Sequence, residues 1–140
     1  MCCWHLSKSM KEKKWGQILN KIENVHFREK FDLVVAIARG GIVPGFLISK
    51  KQKIDLELLW LKFRNDENKI MFKQPRLVKK IDFSCRGKKI LLVDDVCKTN
   101  ATFDAAKRYL KDAKVVKTLA VNGKADYHLY DEECFKFPWS

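Results

Sequence analysis

No C-x-x-C pair occurs in this chain, and its five cysteines, Cys2, Cys3, Cys85, Cys97 and Cys134, are an odd number. That excludes the common zinc and dithiol-redox motifs and predicts reduced thiols in a reducing compartment. No apolar run approaches the ~20 residues that span a bilayer, and no continuous apolar signal segment opens the chain, so no membrane association and a cytoplasmic location are expected. Internal repeats and low-complexity segments are absent. His5 and His26 have no metal-ligand partner at a useful spacing. Acidic residues are scarce, 17 against 29 lysines and arginines, for a net charge of +12. Such a surface suits nucleic acid or a polyanionic small substrate, and the lysines are not interleaved with aromatics as in single-strand binders.

With 140 residues, 46% hydrophobic and 33% charged, the chain can build one globular domain around one core. Its organising stretch is residues 89–110, K-I-L-L-V-D-D-V-C-K-T-N-A-T-F-D-A-A-K-R-Y-L. Ile90 to Val93 read as a buried parallel strand ending in Asp94 and Asp95. Thr99, Asn100, Ala101 and Thr102 are small or hydroxylated, and Phe103, Ala106, Leu110 and Ala113 mark one face of a helix. Strand, anion-sized loop and helix together make a phosphate cradle, because open N–H groups and partial positive charge collect at a helix N-terminus. Carboxylates beside such a cradle suit sugar hydroxyls or a hydrated metal ion. The expected ligand is a phosphorylated ribose.

The flanking chain has the same rhythm. Trp15, Ile18, Leu19, Ile22 and Val25 form a helical stripe within 11–29, and residues 31–38 are a near-continuous apolar run suited to a central strand. Arg39, Gly40 and Gly41 follow at that strand's tip. The glycines allow close approach to a ligand and the guanidinium offers an anion fork. A helix over 42–49 with Pro44 in its first turn, a strand over 54–63, a polar basic loop over 64–80 and a strand over 113–121 complete the pattern.

Other owners of a strand ending in two aspartates do not fit. A receiver domain needs well over the roughly 45 residues after Asp95. A Walker B strand needs a G-x-x-x-x-G-K-[ST] element, and a dinucleotide-binding unit needs G-x-G-x-x-G; neither is present.

V-D-D-V-C-K-T-N-A-T resembles the 5-phosphoribosyl 1-pyrophosphate (PRPP) motif of the type I phosphoribosyltransferases, V-D-D-V-x-x-T-G-x-T. V-V-A-I-A-R-G-G-I-V-P-G resembles the family's first PRPP loop, and Phe137-Pro138-Trp139 resembles the ending of small xanthine-guanine/hypoxanthine-type purine members. The resemblance implies a single α/β domain over 1–140: a twisted, mostly parallel sheet with helices on both faces and a small hood from the chain-terminal segments. Residues 64–80 would be a mobile lid and 122–140 the hood and base-site tail. It implies transfer of ribose 5-phosphate from PRPP to a nucleobase, a 6-oxopurine by the tail, with pyrophosphate released and Mg2+ as cofactor.

By the same resemblance, Asp94 and Asp95 take the ribose hydroxyls, directly or through magnesium, while Arg39 with Gly40 and Gly41 holds the pyrophosphate. Lys98, Thr99, Asn100, Ala101 and Thr102 form the 5′-phosphate cradle, and Lys73 and Arg76 are the lid cations. Asn122, Lys124, Cys134 and Phe135 stand where relatives bind the base. Relatives are commonly dimers or tetramers, so a homodimer or homotetramer is expected.

Four positions depart from the family pattern. Asn100 replaces a glycine, Lys98 a carboxylate that meets the purine, Asn122 a lysine for the 6-oxygen, and Cys134 a stacking aromatic. The alternative is a PRPP-responsive regulatory or nucleic-acid-binding protein with the same fold and little turnover.

Overall fold

A computed structural model describes residues 10–62 and 76–140. The elements run α1 (Trp15–Asn24), β1 (Leu33–Ala38), α2 (Ile42–Gln52), β2 (Asp55–Lys62), β3 (Arg76–Leu77), β4 (Lys89–Cys97), α3 (Ala101–Tyr109), β5 (Val115–Gly123) and β6 (Tyr127–Tyr130). They form a six-stranded sheet in the order β3-β2-β1-β4-β5-β6. Every pairing is parallel except β2 with β3.

Alternation along the central strands divides the core in two. Val34, Leu91, Val93 and Leu119 pack with Ile18, Ile22 and Ile48 of α1 and α2, while Leu33, Val35, Ile90 and Leu92 pack with Phe103, Ala106 and Leu110 of α3. Helices thus cover both faces, the arrangement that near-continuous apolar strands require. Among the described residues no helix is long and apolar enough to cross a membrane.

Two expectations about α1 change. Lys11 and Lys13 are not helical, because their backbones bond to Lys136 and Glu12 bridges to it in parallel. That contact joins the two chain-terminal segments as a hood. At the other end the Lys51 ammonium takes the carbonyls of Ile22, Glu23 and Val25 at 2.8–2.9 Å, satisfying acceptors that a helix end leaves open. Trp15 and Leu19, assigned to the buried stripe, are 46% and 41% exposed; Ile18 and Ile22 carry the burial. Trp15 instead meets Trp139, which stacks on Phe137 with centroids 4.8 Å apart.

The 64–80 segment lies outside the described residues up to 75, Lys73 included. Its end is not loop: Arg76 and Leu77 pair with Lys62 and Leu61, the Val78 amide donates to the Trp60 carbonyl at 2.8 Å, and the Lys79 ammonium sits 4.2 Å from the Trp60 ring centroid. Cys85 and Cys97 are free thiols, but Cys134 is disulfide-bonded, which corrects the expectation of reduced thiols throughout.

Candidate active site at the strand tips

β1 leads through α2 to β2 on one side, and β4 leads through α3 to β5 on the other. The strand order therefore reverses between β1 and β4, and a crevice opens beyond their carboxyl ends, where ligands bind in open α/β sheets. The last β1–β4 partners are Ala36 and Val93, yet β4 runs on to Cys97. Asp94 and Asp95 are consequently inside the strand rather than beyond it, on the stretch that has lost its β1 neighbour. The apolar run ends at Val93, but pairing with β5 continues through Asp94, Val96 and Cys97.

The space vacated by β1 is filled by residues 39–41, entered through a cis Ala38–Arg39 peptide. A Cβ on Gly40 would lie 2.5 Å from the Asp95 carboxyl, and one on Gly41 would strike the Val93 carbonyl oxygen. Close approach, not φ, demands glycine at both. Arg39 is exposed beside them.

The Asp95 amide donates to Asp94 Oδ1 at 2.8 Å and the Val96 amide to Asp95 Oδ1 at 2.7 Å, which fixes the direction of both carboxylates. Burial, joined at Asp94 by the charge of Asp95, raises both carboxyl groups above the ordinary range. A cation or sugar hydroxyls would relieve that cost.

The loop after β4 turns into α3 at Asn100, whose φ of −83° is right-handed, so replacement of glycine there needs no left-handed backbone. Asn100 makes no side-chain cap; its Oδ1 lies 3.6 Å from Cys97 Sγ, and Thr99 Oγ1 takes the Ala101 amide at 3.3 Å. Lys98, Thr99, Asn100 and Ala101 are exposed and Thr102 half-buried, so α3 presents an open first turn suited to phosphate. Burial raises the Cys97 thiol, with the charges of Asp94 and Asp104 adding to it, and keeps it a neutral strut.

Beside this cradle is a cleft of about 270 Å3 lined by Val96, Cys97, Lys98, Asn122, Gly123, Lys124, Asp131, Glu132, Glu133 and Cys134. Three of the four predicted base-site residues, Asn122, Lys124 and Cys134, are brought together here. Phe135 is not: it is 2% exposed, packed edge-on between Tyr130 and Phe137 in the core. Phe135 and Phe137 both turn inward because they flank exposed Lys136, whose backbone is hydrogen-bonded to Lys11 and Lys13. Sequence reasoning missed the acidic run Asp131, Glu132, Glu133 as a cleft wall; its position just after a strand was the available signal.

Fold and site together define an α/β protein with a carboxylate pair and an open helix N-terminus at a topological switch point. The family model of the phosphoribosyl transferase domain matches residues 10–138. The chain belongs to the phosphoribosyltransferase family and is a phosphoribosyltransferase of the type I fold, near its purine members. Among solved structures it is similar to a purine phosphoribosyltransferase from Pyrococcus horikoshii Ot3, 25% identical over 92% of this chain and 93% of that one, with a TM-score of 0.78. A Neisseria gonorrhoeae protein with bound ppGpp is 20% identical over 97% and 92%, TM-score 0.70. A Helicobacter pylori xanthine-guanine-hypoxanthine phosphoribosyltransferase is 17% identical over 92% and 92%, TM-score 0.66. No curated protein matches the chain in sequence.

The family implies magnesium with PRPP. Among the described residues no group of three or more His, Cys, Asp or Glu is placed to hold a metal. Two fixed carboxylates strained by burial fit a cation whose remaining ligands come from substrate oxygens and water.

Proposed function

We propose that the protein transfers ribose 5-phosphate from PRPP to a nucleobase, a 6-oxopurine, with release of pyrophosphate. The observation that carries this is the fit of Gly40 against Asp95, which puts the loop after Arg39 in contact with the carboxylate pair and supports a shared site for pyrophosphate and ribose. In such a transfer the C1–O bond weakens before the base nitrogen arrives, so the ring gains positive charge and the protein's work is to orient and to stabilise charge.

The first-turn amides of α3, with Thr99, Thr102 and Lys98, would hold the 5′-phosphate. Asp94 and Asp95 would orient the ribose through its two hydroxyls, and their negative charge would favour the developing oxocarbenium ion. Arg39 and the amide of Gly40 would take the pyrophosphate as it departs, the Gly41 amide being bonded to the Ile37 carbonyl at 2.8 Å, with Arg76 and Lys73 as further cations. Magnesium, when bound, would be held by Asp94 and Asp95 and would supply charge neutralisation between pyrophosphate and ribose. The cleft beside Lys98 and Lys124 would receive the base. We further propose a cytoplasmic homodimer or homotetramer.

A second reading has its own observation. Among the described residues the 270 Å3 cleft has no aromatic wall, Lys98 reverses the family's charge, and Asn122 is already hydrogen-bonded to the chain. Similarity to a structure with bound ppGpp and a net charge of +12 then favour a PRPP- or nucleotide-responsive regulator, able to bind nucleic acid. Incubation with PRPP, magnesium and a nucleobase panel separates the two. Nucleotide and pyrophosphate in equal amounts support transfer; PRPP binding without product from any base supports regulation.

A further inference from the structure

Asn122 is 4% exposed and lies on β5 between Val96 of β4 and Tyr130 of β6. Its Oδ1 accepts from the Glu132 amide at 3.0 Å, and its Nδ2 donates to the carbonyls of Glu132 at 3.1 Å and Glu133 at 3.4 Å. The carboxamide acts as a surrogate peptide, continuing the pairing of the sheet where β6 has stopped at Tyr130. Both N–H donors are spent and the oxygen is turned to the chain. Of side chains this size only Asn offers donor and acceptor together; Asp lacks the donor and Leu lacks both.

The segment so held, 131–134, is the wall of the cleft facing Val96, Cys97 and Lys98. It is gripped further through the Lys13–Glu132 ion pair at 2.9 Å and the disulfide at Cys134, while Gly123, whose φ of 126° and contact with the Cys97 carbonyl admit no side chain, lets the chain turn away beside it. We propose that Asn122 is a positioning residue for the acceptor: it sets the distance of the 131–134 wall from β4 and does not contact the acceptor itself. This rests on the transfer reading above. It moves Asn122 from the base-contacting set to the frame that shapes the cleft.

The test uses the full chain with Asn122→Asp and Asn122→Ala, the former in case the latter does not fold. Acceptor and PRPP KM are measured for every base the wild type accepts, and amide exchange is followed over 131–134. The clamp predicts acceptor KM raised about tenfold or more by one common factor for all bases, since a buried carbonyl or amide loses its partner. PRPP KM stays, and the Glu132 amide exchanges faster. A changed ratio between bases with unaltered exchange would mean direct contact and overturn the proposal, as would an unmoved acceptor KM or a parallel rise in both KM values. Should the wild type use no base, the transfer reading fails and exchange decides alone: faster exchange at Glu132 upholds the clamp, and unchanged exchange removes it.

Discussion

Around Asp94 and Asp95 the chain packs backbone against carboxylate and carbonyl, with Gly40 and Gly41 leaving no room for a Cβ, whereas around Asn122 the wall of the cleft is an exposed acidic segment hung on side-chain hydrogen bonds, an ion pair and a disulfide. The first region tolerates almost no substitution because any added atom meets a carbonyl or carboxylate. The second can change its surface residues while the carboxamide keeps its shape. A proposed donor site built by close packing and a proposed acceptor site built by suspension can diverge independently, which matches a carboxylate half that keeps the family pattern beside a cleft half that does not.

The comparison can be broken most directly at Gly41. Gly41→Ala drives a methyl into the Val93 carbonyl, and overpacking of this kind costs about 3 kcal/mol, so a denaturant midpoint close to wild type would show the loop freer than its packing implies. Next in size, Asp95→Ala should weaken magnesium-PRPP binding about a hundredfold in calorimetry through loss of charge-assisted contacts, while acceptor-side amide exchange stays as in wild type.

The carboxylate pair also gives a pH signature. Both groups are raised by burial, so their favourable contribution to folding is complete below the ordinary value of 3.8 and is lost as pH rises through the folded values. At neutral pH the ionised pair is a cost. Ligand-free Asp94→Asn should therefore melt above wild type at pH 7, with the gap closing toward pH 4, although its PRPP binding is impaired; an equal or lower melting temperature at pH 7 contradicts it.

A change outside both regions supplies the control. Lys51→Met removes three hydrogen bonds from a charged donor and should cost about 2 kcal/mol of stability, leaving the ratio of PRPP to acceptor KM unmoved. The smallest expected effect is at Lys98→Asp, an exposed site: restoring the family's sign should improve purine use a fewfold at saturating PRPP, with PRPP KM raised by loss of the cation from the phosphate cradle and the melting temperature unaltered.

What could be read in advance follows the same division. The strands from Leu33 and Ile90, the Arg39 turn and the turn into a helix at 99–102 are legible because period, glycine and hydroxyl signals are local. The extension of β4 through Asp94 to Cys97 was not, since its continuation depends on β5, whose register no local pattern gives. Asn122 was assigned to the base because its place in the chain matches a family lysine, and only the three-dimensional meeting with Glu132 and Glu133 shows its donors already used. Phe135 differs for the opposite reason: an aromatic near the ending suggests stacking, and its burial is visible only with Tyr130 and Phe137 packed edge-on beside it.

The hood contact between Glu12 and Lys136 has a kinetic consequence. Its neighbouring bond, from the Tyr130 hydroxyl to the Gln17 carbonyl, joins residues 113 apart in the chain, so the hood closes a very long loop whose entropy must be met after the sheet exists. The hood is therefore expected to assemble last and to open first. In native-state hydrogen exchange, amides at 11–13 and 132–136 should open as one cooperative unit at a free energy below that of β1 and β4, so that a protein momentarily without its hood still holds a formed site for the sugar phosphate.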